Sequence, residues 1–407
     1  MTGYEWGSGP GGEGESTGRR IARARKRRGL TQIGLAAKAN VSRSLIAQVE
    51  AGHKRATPSL VAAVARACAV DAAEIVGRPH GGRERGADRR AEAVHAAMPS
   101  IRRALAYADV SPELEVPPRS LDALAPELVR LQRLQGAAAH VRLGARLPAA
   151  IEELTVHAVE SDAPRAWRLL NHAYAMAVSL ARRLGHGDLA QVAVERAAVA
   201  ASRAGDPHLR HLVSLSRALL LLTQGSDDIA LTVVRRAADE VDRSEPAGLQ
   251  VYGSLQLRAA VSAARMGHGA DAWEHHGLAT ETAARIDALS RPDPYGLQVS
   301  PGNAVIHGCA VATELGDHDT AIRLDAGFTP SPRLYAERRA HHEIDMSRTH
   351  LLLKEHDKAL RRVLNAERIA PQMARFHPAA REAVRQLGTY YRAVPEQLRG
   401  LESRMAF

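Results

Sequence analysis

Small and apolar residues between positions 32 and 52 recur at the spacing of two short helices joined by a tight turn. Ala36 is small enough for the second helix to cross close to the first. Asn40 stands in the turn, where the backbone needs a left-handed conformation that Gly and Asn adopt at low cost. The pattern predicts a helix-turn-helix. The predicted contact positions are Leu35, Ala36, Ala39, Val41, Ile46 and Val49.

Residues typical of helix ends predict five helices in this part of the chain. The predicted boundaries are Arg19 to Arg28 before Gly29, an N-cap at Thr31, an N-cap at Ser42 with an end near Gly52, an N-cap at Thr57 before Pro58, and a capping box of Asp71 and Glu74 for a short helix ending at Gly77. Five helices in about sixty residues predict a compact all-α domain.

The pattern beyond residue 90 is helical almost throughout, because Ala, Leu and Val recur at three- and four-residue spacing without strand-like alternation. Pro126 predicts a kink or restart within one helix, and Pro148 suits the first turn of another. The predicted helices are 88–108, 120–143, 148–160, 164–184, 188–204, 208–223, 227–243, 247–266, 270–288, 301–315, 319–325, 333–353, 357–369 and 378–392.

A repeat underlies this helical region. A turn is followed, five positions after its first residue, by a small or apolar residue. The pairs are Gly187/Val192, Gly225/Ala230, Gly267/Ala272, Gly316/Ala321 and Lys354/Ala359, at successive offsets of 38, 42, 49 and 38 residues. The spacing resembles that of degenerate tetratricopeptide repeats, whose helical hairpins stack into a solenoid. A generic α-solenoid is the alternative. The predicted fold class is all-α, a helix-turn-helix domain followed by an α-solenoid.

Positive charge is concentrated near the amino end. The formal net charge of the 407 residues is +10, and residues 18–55 alone hold eleven basic residues against one acid, Glu50. A basic module joined to a nearly neutral body predicts that only the first part contacts nucleic-acid phosphates.

Length and composition give the remaining organisation. The two cysteines, Cys68 and Cys309, lie in different predicted domains, which favours a reducing cytoplasm over a disulfide framework, and association with the nucleoid follows from DNA binding. No apolar run reaches the length of a membrane helix. The predicted domains are a disordered tail at 1–17, the helix-turn-helix domain at 18–77, a linker at 78–90 and the helical-repeat domain at 91–400.

The amino-terminal motif resembles the phage-repressor (XRE-type) helix-turn-helix family. The matching residues are Leu30-Thr31-Gln32, Leu35-Ala36, Val41-Ser42, Ile46, Glu50-Ala51-Gly52 and Pro58-Ser59-Leu60. Gly34 and Asn40 depart from the Glu and Gly usual in this family. The large body adds segments similar to those of XRE regulators with tetratricopeptide-like domains, at 143–154, 187–207, 300–317 and 366–384.

The resemblance implies roles for named side chains. Gln32 is expected to contact the DNA backbone and brace the recognition helix. Arg43, Ser44 and Gln48 are expected in the major groove, with Arg43 suited to guanine and Gln48 to adenine. The resemblance also implies a partly buried ion pair of Arg25 and Glu50. The predicted DNA-binding residues are Gln32, Ser42, Arg43, Ser44, Gln48, Lys54 and Arg55.

One segment of the body is a candidate effector site. Residues 290–303 form a Pro- and Gly-rich break that widens one repeat, and such insertions often line a binding face. Tyr295, Asn303 and His307 are the candidate residues. The alternative is a structural loop in which Asn303 caps the following helix.

No catalytic constellation stands out, and the sequence predicts neither an enzyme nor a metal or cofactor. His341 and Asp345, at i and i+4, could share a metal ion, but no third ligand is identifiable.

The functional hypothesis is a homodimeric transcriptional regulator on double-stranded DNA. Two recognition helices about 34–36 Å apart, or a multiple of that spacing, predict a near-palindromic operator. A peptide, small molecule or partner protein at the helical repeats would modulate DNA binding. The first alternative is an adaptor that tethers a partner protein to DNA, and a weaker one is an enzyme with a fused regulatory domain.

Overall fold

The computed structural model describes residues 17–54, 56–68, 70, 75, 93–289 and 293–405, with the side chains of residues 58, 59 and 62 left out. The chain divides into two compact units, Met1–Glu84 and Arg85–Phe407. The fold is all-α, as predicted: the described residues form helices, turns and loops, without a strand. The predicted tail at 1–17, except its last residue, and the linker at 78–90 lie outside the described residues, as do Asp71, Glu74 and Gly77.

The first unit contains four described helices of eight to eleven residues. They are α1 (Thr17–Arg27), α2 (Gln32–Ala39), α3 (Arg43–Glu50) and α4 (Pro58–Cys68). Helix α2 packs against α3 and α4, and α1 packs against the same two helices. The shared core contains five of the six predicted contact positions as buried residues, and the sixth, Val41, is partly buried against it. Residue 75 is helical and buried, within the short fifth helix that the sequence predicts.

The second unit contains sixteen described helices of more than five residues. They are α5 (Met98–Ala106), α6 (Leu121–Gly136), α7 (His140–Ser161), α8 (Pro164–Arg183), α9 (Gly187–Arg203), α10 (Leu209–Gln224), α11 (Asp227–Glu240), α12 (Pro246–Arg265), α13 (Gly269–Leu289), α14 (Pro301–Leu315), α15 (His318–Ala326), α16 (Ala336–Leu352), α17 (His356–Ile369), α18 (Pro371–Phe376), α19 (Pro378–Tyr390) and α20 (Glu396–Arg404).

One turn geometry recurs at six helical hairpins of this unit. A residue with positive φ ends the first helix, and the next residue donates its N–H to the carbonyl five positions back, at 2.8–3.0 Å. This is the hydrogen bond of a Schellman helix end. The fifth residue after each turn has no solvent exposure. The turn and fifth residues are Ala138/Leu143, Gly185/Ala190, Gly225/Ala230, Gly267/Ala272, Gly316/Ala321 and Lys354/Ala359.

The turns correct the predicted register of one repeat. Gly185, with φ of 83°, makes the turn that the sequence analysis assigned to Gly187. The buried residue is therefore Ala190, whereas Val192 is 41 % exposed. The prediction was wrong because two glycines stand two residues apart and only the left-handed one ends the helix. The first offset becomes 40 residues, the difference between positions 185 and 225.

The first helices of the six hairpins contact each other in a closed circuit. We call α6, α8, α10, α12, α14 and α16 the inner helices. Each contacts the next in this order, and α16 contacts α6. Tyr335, just before α16, closes the circuit against Gly136, where a Cβ would lie 2.6 Å from the tyrosine ring. Stacked helical hairpins of this kind are consistent with the predicted solenoid. Their tetratricopeptide likeness stays a prediction.

Both prolines lie inside helices. A restart at Pro126 is excluded, because α6 continues through it, and the first-turn position predicted for Pro148 was wrong, because Pro148 lies inside α7. The predicted helix 120–143 instead breaks at Ala138, which has φ of 52°. A left-handed alanine gives no sequence signal comparable to Gly or Asn, so the pattern continued the helix through the turn.

The ends of the helical unit also differ from prediction. Helix α5 begins at Met98 rather than near residue 88, with Pro99 in its first turn, where the missing N–H is harmless. Helices α18 and α20 were not predicted. Helix α20 extends past residue 400 because Leu398 and Leu401 are buried and Arg404 pairs with Glu367 at 2.6 Å. The other predicted helices of the second unit from 164 onward match within three residues at each end.

The cores of the second unit rely on Ala, Leu and Val, which suits a chain with three Phe. Within the described ranges, no helix has the length and apolarity to cross a bilayer.

Enlarging Ala190, the buried fifth residue after the turn at Gly185, tests the corrected register. Ala190→Leu is expected to destabilise the second unit by about 1–3 kcal/mol, because the added atoms overpack a fully buried position. The matched change Val192→Leu, on the same helix, should stay within about 0.5 kcal/mol. Urea unfolding followed by circular dichroism measures both. Equal destabilisation by the two variants would contradict the register.

Candidate functional site

Two caps and one left-handed residue fix the geometry of α2 and α3. The Thr31 Oγ1 accepts a hydrogen bond from the N–H of Gly34 at 3.0 Å, and the Ser42 Oγ accepts from that of Leu45 at 3.1 Å. Asn40 between them has φ of 51° and ψ of 48°. Each cap satisfies an N–H that lacks an intrahelical partner. Helix α3 is therefore regular from its first residue, Arg43.

Helix α1 lies against the carboxyl end of α3 at a glycine. A Cβ on Gly18 would lie 2.0 Å from the carbonyl oxygen of Val49, so this backbone approach excludes any larger residue. The sequence analysis missed this residue. A single glycine at the start of a basic helix carries no distinguishing signal.

A buried ionic network joins α1, α2 and α3 at the carboxyl end of α3. The guanidinium of Arg25 donates to both carboxylate oxygens of Glu50, at 2.7 and 2.8 Å, and to the carbonyl of Leu30 at 2.9 Å. Gln32 on α2 donates to the same carboxylate at 2.9 Å. The Arg25 and Glu50 side chains are only 12 % and 7 % exposed. This bidentate geometry fixes the orientation of the guanidinium relative to the carboxylate.

The network keeps Glu50 ionised. Burial opposes ionisation, but hydrogen bonds from Arg25 and Gln32 and the positive charge of Arg25 outweigh it, so the pKa of Glu50 is lowered. The hydrogen bond to Glu50 raises the pKa of Arg25. Gln32 thus connects α2 to the end of α3, and its side-chain amide nitrogen is engaged within the domain.

The outer face of α3 carries exposed polar side chains. Ser42, Arg43 and Ser44 are exposed, and Gln48 is partly exposed one turn further along. The Gln48 Nε2 donates to the Ser44 Oγ at 3.2 Å, while its Oε1 accepts no hydrogen bond. Guanidinium and amide groups on one helix face match the hydrogen-bonding edges of guanine and adenine in the major groove.

The loop after α3 brings a further cation to this end of the helix. The backbone N–H of Lys54 donates to the carbonyl of Gln48 at 3.0 Å, and its side chain is exposed. Arg55, the other predicted phosphate contact, lies outside the described residues.

Residues 21–75 match the helix-turn-helix family. This match supports a DNA-binding transcriptional regulator. No curated protein and no solved structure gave a match to the chain. The matched segment contains the caps, the left-handed Asn40 and the network around Glu50. We therefore refer to the first unit as the helix-turn-helix domain.

Two of the three candidate effector residues of the second unit contact each other, and the third has a different partner. Asn303 and His307 lie one turn apart on α14, and the His307 Nδ1 is 2.9 Å from the Asn303 carbonyl. Both side chains are nearly inaccessible to solvent. The hydroxyl of Tyr295 instead donates to the carboxylate of Asp206, at 3.0–3.1 Å.

The cap of α14 is Ser300, whose Oγ accepts from the N–H of Asn303 at 3.3 Å. The alternative reading, in which Asn303 is the cap, was therefore wrong. The side-chain amide of Asn303 donates to the carbonyl of Gln298, and its Oδ1 has no hydrogen-bond partner. The pKa of His307 is well below its usual value because the ring is buried near Arg338 and Arg258.

The histidine and aspartate considered for metal binding contact each other. The His341 Nε2 lies 3.7 Å from the Asp345 Oδ2. Burial lowers the pKa of His341 to about 3. No group of three or more metal-ligating side chains occurs in the part of the chain that the structure describes.

Neutralising Glu50 tests the network. At pH 7, Glu50→Gln is expected to lower the opening free energy of the helix-turn-helix domain by about 1.5–3 kcal/mol, because charge-assisted hydrogen bonds are lost. The folded-state pKa is lowered from 4.5, so the stabilisation is complete above that pH and is lost as pH falls through the lowered pKa. The gap between wild type and variant should therefore shrink below about pH 4.5.

Hydrogen exchange of the buried core amides, converted to opening free energies at each pH, measures this gap. A difference that stays constant from pH 7 to pH 3 would show that the Glu50 charge does not stabilise the domain.

Proposed function

We propose that the protein is a sequence-specific transcriptional regulator that reads DNA with α3. The observation that supports this is the polar, solvent-facing side of α3, which carries Arg43, Ser44 and Gln48. The carboxyl end of the same helix is held in place through Glu50. Arg43 would bind guanine and Gln48 adenine, while Ser42 and Lys54 would contact the backbone. Gln32 would act mainly by bracing α3 through Glu50, since its amide already donates there.

We propose further that two copies act together in the cytoplasm, on DNA of the nucleoid. One α3 of eight residues covers only part of a helical turn of DNA. A dimer would place two such helices in successive major grooves, about 34–36 Å apart, and would bind a near-palindromic operator.

The second unit would bind an effector that changes the affinity of the dimer for DNA. Such control requires the effector to favour one arrangement of the two helix-turn-helix domains by a few kcal/mol. We propose this binding role, rather than catalysis, for the helical unit.

Alanine substitutions on α3 test the assignment of base contacts. Arg43→Ala and Gln48→Ala should each relax specificity at one operator position by about 1–3 kcal/mol, because each removes one set of base-edge hydrogen bonds. Lys54→Ala should weaken all duplexes similarly and lower the salt dependence by about one phosphate contact. Binding-site selection with the full chain, followed by titration at several salt concentrations, measures both effects.

Arg133→Ala provides the control, because Arg133 is an exposed arginine in the second unit. It should change neither specificity nor the salt dependence. Unchanged base preference in both Arg43→Ala and Gln48→Ala would contradict the recognition face.

A further inference from the structure

The inner helices direct a set of arginines toward one another. Arg182 and Arg183 end α8, Arg258 lies on α12, and Arg338 is near the start of α16. We call these four residues the arginine cluster. Each residue is partly buried, with an intermediate exposed fraction. The arginine cluster therefore lies within the helical unit but keeps some contact with solvent.

Positive charge exceeds negative charge within the cluster. Burial, followed by the positive charges of Arg338, Arg182 and Arg265, lowers the pKa of Arg258 to about 9. Burial, followed by the charge of Arg183, lowers the pKa of Arg182 to about 9. The acid that acts on both residues is Glu337. One carboxylate is thus coupled electrostatically to all four arginines.

That carboxylate is already engaged. The Glu337 Oε1 lies 2.6 Å from the Arg183 Nη2. In the described residues, no other carboxylate lies within ion-pair distance of Arg182, Arg258 or Arg338. The Arg258 Nε is also shielded from solvent and donates no hydrogen bond. Among the described residues, three guanidinium groups of the cluster therefore lack a protein anion of their own.

Two arginines at the ends of inner helices are paired with carboxylates. Arg265 lies near Asp227 and Glu314, at 3.6 and 3.8 Å, and Arg348 pairs with Glu314 at 3.2 Å. Arg182, Arg258 and Arg338 differ from them in having no carboxylate within ion-pair distance among the described residues. Removing a cation from water without a counter-charge is unfavourable, and a bound anion would supply that charge.

We propose that the arginine cluster binds a small oxyanion with two or more negative charges, such as a phosphate ester or a polycarboxylate. Guanidinium groups match the planar, two-oxygen edges of phosphate and carboxylate. The ligand would join α8, α12 and α16, because the cluster draws residues from each of these helices. His307, one of the predicted effector residues, is electrostatically coupled to Arg258 and Arg338.

The proposal deepens the effector role proposed above, and direct binding tests it without DNA, so that a failure of DNA recognition leaves the result intact. The probes are inorganic pyrophosphate and citrate, titrated calorimetrically into the full chain in low-chloride buffer. We expect one saturable site per chain and a higher thermal unfolding midpoint with the probe that binds. Preference for pyrophosphate indicates a phosphate ligand, and preference for citrate indicates a carboxylate ligand.

Neutral variants locate the site. Arg258→Gln and Arg338→Gln should each weaken probe binding by about tenfold or more, because each removes charge-assisted hydrogen bonds. Without probe, Arg258→Gln should keep or raise the unfolding midpoint, because it removes an uncompensated buried charge. The exposed Arg142 on α7 provides the matched control, and Arg142→Gln should leave both measurements unchanged.

Three results would overturn the proposal. They are no saturable binding of either probe, undiminished binding in both cluster variants, and a lower midpoint of ligand-free Arg258→Gln, which would make that arginine a structural one.

Discussion

A single carboxylate, that of Glu50, joins α1, α2 and α3 of the helix-turn-helix domain. It accepts hydrogen bonds from Arg25 and Gln32, and α1 approaches the same end of α3 through Gly18. A buried ionic contact of this kind favours one arrangement of helices more than it adds net stability, because both partners lose their hydration. The orientation of α3, and with it that of the Arg43 and Gln48 side chains, depends on this network.

The second unit applies a different constraint. Its hairpins repeat a Schellman turn followed by a buried small or apolar residue, which packs the start of the second helix of each hairpin into the core. The inner helices then contact one another in a closed circuit, and three of them carry the arginine cluster. Partly buried cations without a carboxylate partner strengthen the positive potential around them, because a low-dielectric surrounding screens charge weakly. The proposed sites of DNA binding and anion binding thus lie in separate units, and both use arginine.

The sequence predicted most of this fold because its strongest signals are local. Caps at Thr31, Ser42 and Thr57, and left-handed turns at Gly and Asn, are readable without the structure. The left-handed Ala138 was not readable, because alanine rarely adopts this conformation and the residues that bury it, on α16 and α17, are distant in sequence. The arginine cluster was not readable either, because its members are separated by about 75 residues and only the hairpin stack brings them together. His307 was selected from a loop pattern, whereas its surroundings come from α12 and α16.

The decisive measurement is selection of random duplex DNA by the 407-residue chain. The account predicts enrichment of a near-palindrome whose half-sites lie about one or more helical turns apart, with purine contacts that change in Arg43 and Gln48 variants. A folded protein that enriches no sequence over the starting pool, while retaining salt-dependent affinity for all duplexes, would contradict it.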